Sequence, residues 1–402
     1  MPPRHETIRP DDAAEIDVAV ISTAALPWRT GPAFFSLWHA CGLAALGRRT
    51  VLVVPWLGAG SQRRLWNRVL FDTPGDQARW LVEEAERLGA PPLPEVRFYR
   101  GYYAGPLASI VALADVYAAV PDARAYVLQE PEHLHWFPTS RPRRRLAAER
   151  VVGVVMTNYG HYIRAADFPG CDLAARFVEW RHARLMRAHT DFIVPLSQAV
   201  ALNGLGHPMR VARVTGVVSD YARVAPVEAG NRGVFFLGRL VWNKGSVNQN
   251  QTALLEQAKR VVSNEIETAK RMNLEIDVLG EGPDRAAIER RAADRGAPVR
   301  FLGSSTSPWC DMANYRVFFN PSLSEVLCST TMEALVAGRH VVLPECAAND
   351  PFRDYPNVHF YSDADGAVTA LRRALAVLPE TPEKARREFD WMTACRTLDE
   401  ML

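Results

Sequence analysis

Two carboxylates eight positions apart, Glu325 and Glu333, bracket the Ser, Thr and Cys run in "SEVLCSTTMEAL". An acid in a connecting loop accepts hydrogen bonds from sugar hydroxyls, and one in the first turn of a helix can accept two hydroxyls of a ribose. Glu333 has a competing reading: Thr330-x-x-Glu333 is the pattern of a capping box, with a helix starting near Thr330 and the Glu side chain reaching back to the N-cap N–H. On either reading, the positive end of the helix beneath both acids favours phosphate charge. Upstream, "VFFLGRLVWNKG" closes an apolar run at Gly238 and places Arg239 and Lys244 in the turn that follows. Two cations with glycines at the start of a βα turn suit a diphosphate, because backbone N–H groups and side-chain charge converge there. A solvated Arg and Lys would leave the same pattern. No P-loop signature is present, so an ATP-type site is not indicated.

A second constellation, "LQEPEHLHWFP", follows an apolar run with Glu130, Glu132, His133 and His135. Acid beside imidazole suits general acid/base work or acceptor binding. The spacing fits no zinc pattern, and an exposed polar loop is the alternative. Gly31 lies between the first apolar run and "PAFFSLW", where a missing side chain lets a ligand approach the backbone. An ordinary turn with Pro32 at the first helical position reads equally well. "SRPRRRL" is either a solvated basic face or a contact for an anionic lipid surface. The Asp-x-Asp of "SDADGA" resembles a metal-nucleotide motif, but turn chemistry explains it more economically.

The elements that must position these residues fit into 402 residues, room for two ordinary domains. Apolar content of 48% and charged content of 23% exclude a disordered chain, and a net charge of +2 gives no reason to expect a polyanionic partner such as nucleic acid. Six scattered cysteines without a C-x-x-C pair or signal peptide imply a reduced thiol set and a cytoplasmic chain. The N-terminal "MPPRHETIRPDDAAEID" reads as a loose arm. No run approaches the roughly 20 apolar residues of a membrane span, so membrane contact would be peripheral, at an inner face.

Apolar runs at 16–26, 50–57, 96–101, 125–130, 151–158 and 190–197, with helical patterns between them, predict βαβ units and a parallel sheet. A second series, at 234–240, 274–280, 299–303, 315–322, 340–345 and 358–361, follows the turn-rich stretch at 217–233. The expected organisation is one Rossmann-like domain at 1–217 and a second at 218–380. A C-terminal helix at 381–402 returns to the first domain. Such sheets bind ligands at the carboxyl ends of their strands, so the cleft between the domains is the place for a site. The Asn/Gln-rich segment at 246–273 keeps apolar residues at helical spacing and reads as an amphipathic helix.

Taken together, "FLGRLVWNKG", "DVLGEGPDR", "VRFLG" and "SEVLCSTTMEALVAGRHVV" resemble the nucleotide-sugar half of GT-B glycosyltransferases of family four, including the spacing of the two glutamates. More narrowly, "TAALPWRTG", "VVPWL", "EPEHLHW", "VVGVVMTNYGHYI", "VFFNPSLSEVLCSTTMEAL" and "FRDYPN" are similar to the digalactosyldiacylglycerol synthases, from about residue 18 to 361. The resemblance implies an α/β GT-B fold, two doubly wound domains facing each other across a cleft, the first on the acceptor side and the second on the nucleotide-sugar side. It implies retaining transfer of a hexose from a UDP-sugar, UDP-galactose or UDP-glucose, to a hydroxyl acceptor such as a galactosyl-diacylglycerol, with no metal and no other cofactor. Arg239 and Lys244 would bind the diphosphate and neutralise the leaving UDP. Glu325 would hold the hexose, helped by the N–H groups of Val326, Leu327 and Cys328. Glu333 would take the ribose, and Gly31 and Gly238 would lie against the donor. Glu130, Glu132, His133 and His161 are the acceptor-side candidates.

One departure from the family pattern is Met156, in "VMTNYGHY", where the family reads a histidine beside the donor sugar. Methionine donates no hydrogen bond, so the contact falls to His161 or His133 or is lost. A lipid acceptor would need a membrane-facing surface, for which "SRPRRRL" and Trp28, Phe34, Phe35 and Trp38 are candidates, the aromatics reading equally as core. A soluble transferase acting on a natural product or polysaccharide precursor and a catalytically silent nucleotide-sugar-binding protein are the alternatives.

Overall fold

The computed structural model describes residues 16–66, 69–105, 109–140, 142–165, 168–197, 206–228, 233–238, 240, 269, 272–282, 284–304, 307–322 and 326–402. The first sheet is built from β1 (Val18–Ile21), β2 (Thr50–Leu57), β3 (Glu95–Ala104), β4 (Ser109–Ala112), β5 (Ala125–Gln129), β6 (Arg150–Val155) and β7 (Phe192–Pro195). Their spatial order is β4-β3-β2-β1-β5-β6-β7, and every pair is parallel except β3 with β4. The antiparallel edge strand β4 was not expected: "LASIVALAD" reads as helix as readily as strand, and only pairing with β3 decides it.

The strands β1, β2, β5, β6 and β7 are almost entirely apolar because both their faces are covered. Val18, Val20, Leu52, Val54, Val127, Val152 and Val154 pack on the side of the helix Gly31–Ala45. Their neighbours Ala19, Ile21, Val51, Val53, Tyr126, Leu128 and Val151 pack on the other side, the two-residue period of a strand. Each such Val, Leu or Ile contributes about 1.5–3 kcal/mol of burial.

The second sheet orders β8 (Gly233–Leu237), β9 (Ile276–Leu279), β10 (Val299–Gly303), β11 (Tyr315–Phe319), β12 (His340–Pro344) and β13 (Val358–Tyr361) as β10-β9-β8-β11-β12-β13, all parallel. Both sheets reverse direction of winding at an inner strand, between β1 and β5 and between β8 and β11, and such switch points are where doubly wound sheets bind ligands. The carboxyl ends of the two sheets meet: Val326, beyond β11, packs against Val155, Met186 and Ile193, and its carbonyl accepts a hydrogen bond from the Ser197 hydroxyl beyond β7.

The chain passes between the two halves twice. On the outward pass Val217 pairs with Asp390 of the return pass: Val217 N–H donates to Phe389 O at 2.7 Å and Trp391 N–H to Val217 O at 3.3 Å. The helix Trp391–Asp399 then lies on the helix Gly31–Ala45. Trp38 and Trp391 rings meet at 5.6 Å, and a Cβ at Gly42 would fall 2.3 Å from Cys395 Sγ, so glycine sets that approach. The six cysteines are free thiols. Among the described residues, no helix is long and apolar enough to cross a membrane. Of the segment 246–273, only Ala269, Met272 and Asn273 are described.

Candidate active site

Glu130 is the first residue past β5 and the node of the first domain's carboxyl edge. It adopts a left-handed backbone (φ 57°), strained for a residue with a side chain, and is 3% exposed. The Thr23 hydroxyl, just past β1, donates to Oε2 at 2.8 Å, the Thr157 hydroxyl past β6 donates to Oε1, and His133 Nδ1 lies 3.5 Å from Oε2. Burial pushes this carboxyl up, but the hydrogen bonds and charge from His133, Thr157 and Thr23 outweigh it and hold Glu130 below the ordinary glutamate value.

Glu132 is the opposite case. It is 1% exposed and neither carboxyl oxygen has a hydrogen-bond partner. Burial, then repulsion by Glu130, hold it well above the usual range, so it is a neutral acid beside an ionised one. His133 shares a hydrogen bond with the Tyr159 hydroxyl at 3.0 Å and packs on Trp136 at 4.2 Å, while its Nε2 has no partner. A fixed carboxylate, a neutral acid and an imidazole with an unspent nitrogen can orient a hydroxyl and move its proton. His135, by contrast, turns into the interior, its ring 3.5 Å from that of His189, and burial pushes it well below the usual histidine value. His161 is exposed in the first turn of the helix Tyr159–Ala165. Met156 is 8% exposed in the first domain's core, so its side chain packs inward while neighbouring Thr157 serves Glu130.

In the second domain the loops past β8 and β9 are joined backbone to backbone. Gly238 N–H donates to Leu279 O and Leu240 N–H to Glu281 O, both at 3.0 Å. A Cβ at Gly280 would fall 1.8 Å from Gly238 O, and one at Gly282 1.9 Å from Leu240 O. Gly238 is thereby pinned at the β8/β11 switch point. The "GEG" of 280–282 lies within "DVLGEGPDR", and two glycines straddling one residue after a strand are a usable signal of close backbone approach. Arg239, Lys244 and Glu325 lie outside the described residues.

Past β11, the Asn320 side chain is buried and its Nδ2 reaches Cys328 Sγ at 3.4 Å, spanning the turn that contains Val326 and Leu327. Cys328 is the N-cap of the helix Ser329–Val336 and offers no side-chain cap. The Cys328 side chain therefore caps none of the helix's first N–H groups. This corrects the capping-box reading: with Cys328 as cap, Glu333 is the fifth helical residue and beyond reach of the N-cap N–H. Glu333 instead takes a hydrogen bond from the Tyr221 hydroxyl, on the helix Ser219–Ala222. Burial pushes its carboxyl up to about 7, the Tyr221 bond offsetting only part of the shift.

Other expectations resolve more simply. Gly31 is itself the first residue of its helix, with Pro32 second rather than first. A Cβ at Gly31 would meet only the Phe35 ring at 3.5 Å, an ordinary contact, so packing does not demand glycine there. Asp363 of "SDADGA" is a helix N-cap, accepting from Gly366 N–H at 2.7 Å. Trp28, Phe34, Phe35 and Trp38 pack against the core, Phe35 buried and the other three partly buried. In "SRPRRRL", Arg143 is committed to Asp191 at 3.0 Å. Among the described residues, no group of three His, Cys, Asp or Glu side chains is placed to hold a metal ion.

Comparison with known proteins agrees with the fold. The family model for Glycosyl transferases group 1 matches residues 231–377, the second domain with its helix Ser329–Val336. Across 400 residues the chain is 31% identical to the chloroplastic digalactosyldiacylglycerol synthase 2 of Arabidopsis thaliana, covering 94% of this chain and 80% of that protein. It is also 31% identical to digalactosyldiacylglycerol synthase 1 of the same plant, covering 91% of this chain and 45% of that longer protein. Among solved structures, sucrose-phosphate synthase of Thermosynechococcus elongatus superposes with a TM-score of 0.61 at 13% identity, covering 96% of this chain and 98% of that one. HepE of Anabaena, in complex with UDP and glucose, superposes at 0.59 and 13% identity, covering 96% and 99%. These two show the fold, the GT-B arrangement of two Rossmann-like domains. The chain belongs to the digalactosyldiacylglycerol synthase family of group 1 glycosyltransferases.

Proposed function

We propose that this transferase moves a galactosyl group from UDP-galactose to a hydroxyl of a galactosyl-diacylglycerol, with retention of configuration at the anomeric carbon. The observation that carries the reading is the 31% identity to a digalactosyldiacylglycerol synthase across 94% of this chain. Breaking the bond between sugar and phosphate builds negative charge on the departing UDP and positive charge on the sugar. Arg239 and Lys244 neutralise the diphosphate together with the helix N-terminus at Ser329, a set of charges that needs no metal. Glu325 and the N–H groups of Val326, Leu327 and Cys328 hold the hexose, and Glu333 the ribose. The acceptor hydroxyl approaches on the face that UDP leaves, so a phosphate oxygen can take its proton and no protein nucleophile is required. Glu130, Glu132 and His133 hold the acceptor at the opposite wall of the cleft.

The test is UDP release by the purified chain with UDP-galactose and galactosyl-diacylglycerol in vesicles, alongside chromatography of the lipid product. A digalactosyl lipid is expected. UDP release only with UDP-glucose, or only with a water-soluble acceptor, would overturn the donor or acceptor assignment respectively. Met156 favours a second reading, a silent nucleotide-sugar-binding protein, because a buried thioether cannot donate to the hexose. UDP binding without release in any donor and acceptor combination would establish it.

A further inference from the structure

The helix Cys171–His189 carries its apolar stripe on the wrong side for a soluble protein. Its inner face packs through Ala175, His182, Met186 and His189, which are buried. Its outer face shows Leu173 at 74% exposure, Phe177 at 58% and Trp180 at 54%, three large apolar side chains at helical spacing. Phe177 and Trp180 rings touch at 5.8 Å, making a continuous surface rather than isolated residues. Arginines alternate with them: Arg176, Arg181, Arg184 and Arg187 are all exposed on the same side, and the Arg184 guanidinium lies over the Trp180 ring at 5.3 Å.

Of the helix's two acids, Glu179 is held by Arg164 of the preceding helix at 2.6 Å, while Asp172 lies 3.5 Å from the same guanidinium and its side chain is 84% exposed. What faces outward is therefore apolar and net cationic, four arginines against the one exposed acid, Asp172. Arg181 also donates to the Trp136 carbonyl, which brings exposed Phe137 (50%) beside the stripe.

We propose that this face docks on an anionic lipid surface, Leu173, Phe177 and Trp180 entering the headgroup layer while the arginines pair with lipid phosphates. Charge complementarity selects this occupant: interleaved aromatics and arginines, with Glu179 paired to Arg164 and the arginines outnumbering exposed Asp172, fit a negatively charged interface. The proposal deepens the glycolipid-acceptor reading, on which it rests for its purpose. Trp136, at the end of the Glu130–His135 loop, donates to His182 of the same helix at 3.1 Å. A membrane on the outer face thus lies one helix away from the acceptor-side cluster.

The test is sedimentation of the full chain with vesicles of phosphatidylcholine alone or mixed with phosphatidylglycerol. The wild type is expected to sediment with the anionic vesicles and to be released by salt. The combined variant Leu173→Ser, Phe177→Ser and Trp180→Ser should lose at least about tenfold in partitioning. Arg176→Gln with Arg184→Gln should lose about 30-fold on anionic vesicles, about fivefold per arginine. Sedimentation of the triple variant like wild type overturns the proposal. So does equal binding of the wild type to neutral vesicles, or light scattering that shows a wild-type dimer abolished by the triple substitution. UDP release with galactosylglycerol, an acceptor without acyl chains, separates this from the activity: the triple variant should keep it. Wild type that docks yet transfers nothing to lipid or to galactosylglycerol would refute the proposed function and leave the docking surface standing.

Discussion

Through the proposed ribose contact, Glu333 would make donor binding sensitive to pH in a calculable way. Its carboxyl is pushed up to about 7 by burial in the unliganded protein. Accepting two ribose hydroxyls requires the ionised form, so donor binding should return it to the ordinary glutamate value of about 4.3 or lower. A group that must lose a proton to bind lowers affinity at every pH below its free value. Between about pH 8 and pH 5.5 the ionised fraction of the free protein falls about 30-fold, and donor affinity falls with it, about 2 kcal/mol. The assay is titration calorimetry with a UDP-sugar, whose diphosphate has no oxygen titrating near neutrality, for wild type and Glu333→Gln. The variant is expected to bind weakly at pH 8 and to lose the pH dependence. A wild-type affinity that stays flat over this range, or a Glu333→Gln variant with an unchanged profile, would refute the ribose assignment.

Three further outcomes are expected. Lys244→Ala should lower UDP release by about 100-fold or more while circular dichroism and thermal unfolding stay as in wild type, and full activity would remove Lys244 from the phosphate site. Gly280→Ala, whose new Cβ would fall 1.8 Å from Gly238 O, should cost about 2–4 kcal/mol in chemical unfolding. Gly60→Ala, open around its Cβ in the helix Ala59–Leu65, should be neutral or stabilising by up to about 1 kcal/mol, and equal effects at both glycines would contradict the packing argument. Glu132, raised by burial, contributes stability that is complete below the ordinary glutamate range and is lost as pH rises toward its folded-state value, by up to about 1.4 kcal/mol per pH unit. Unfolding measured from about pH 5 to pH 8 should show a shallower fall for Glu132→Gln, and parallel curves would mean that Glu132 is not buried as a neutral acid.

Most strands were legible because their apolar, β-branched runs are buried on both faces, and such runs stand out in a single sequence. β4 was not, since four residues of edge strand have no signal apart from β3. Glu333 was misread locally: Thr330 and Glu333 have cap spacing, but the helix begins at Ser329 behind Cys328, whose sulfur the buried Asn320 side chain reaches across the turn. Glu130 was found as an acid after a strand, whereas its partner Thr23 lies 107 residues away in sequence and no local pattern announces it. Tyr221 was invisible for the same reason, as were the missing partners of Glu132. Residue type and strand-end position revealed which side chains could act, and tertiary contacts determined which were ionised.

The pairing of Val217 with Asp390 also constrains how the two halves can move. Two chain crossings that are hydrogen-bonded side by side behave as a ribbon rather than as two independent threads. Bending the ribbon about its own width disturbs neither bond, whereas twisting or sliding one crossing past the other would shear both the 2.7 Å and the 3.3 Å contacts. Gly216 tightens this further, since a Cβ there would fall 2.5 Å from Trp391 Cα. A closing motion that bends both crossings together would leave both bonds intact and keep the walls bearing Glu130 and Glu333 in one register.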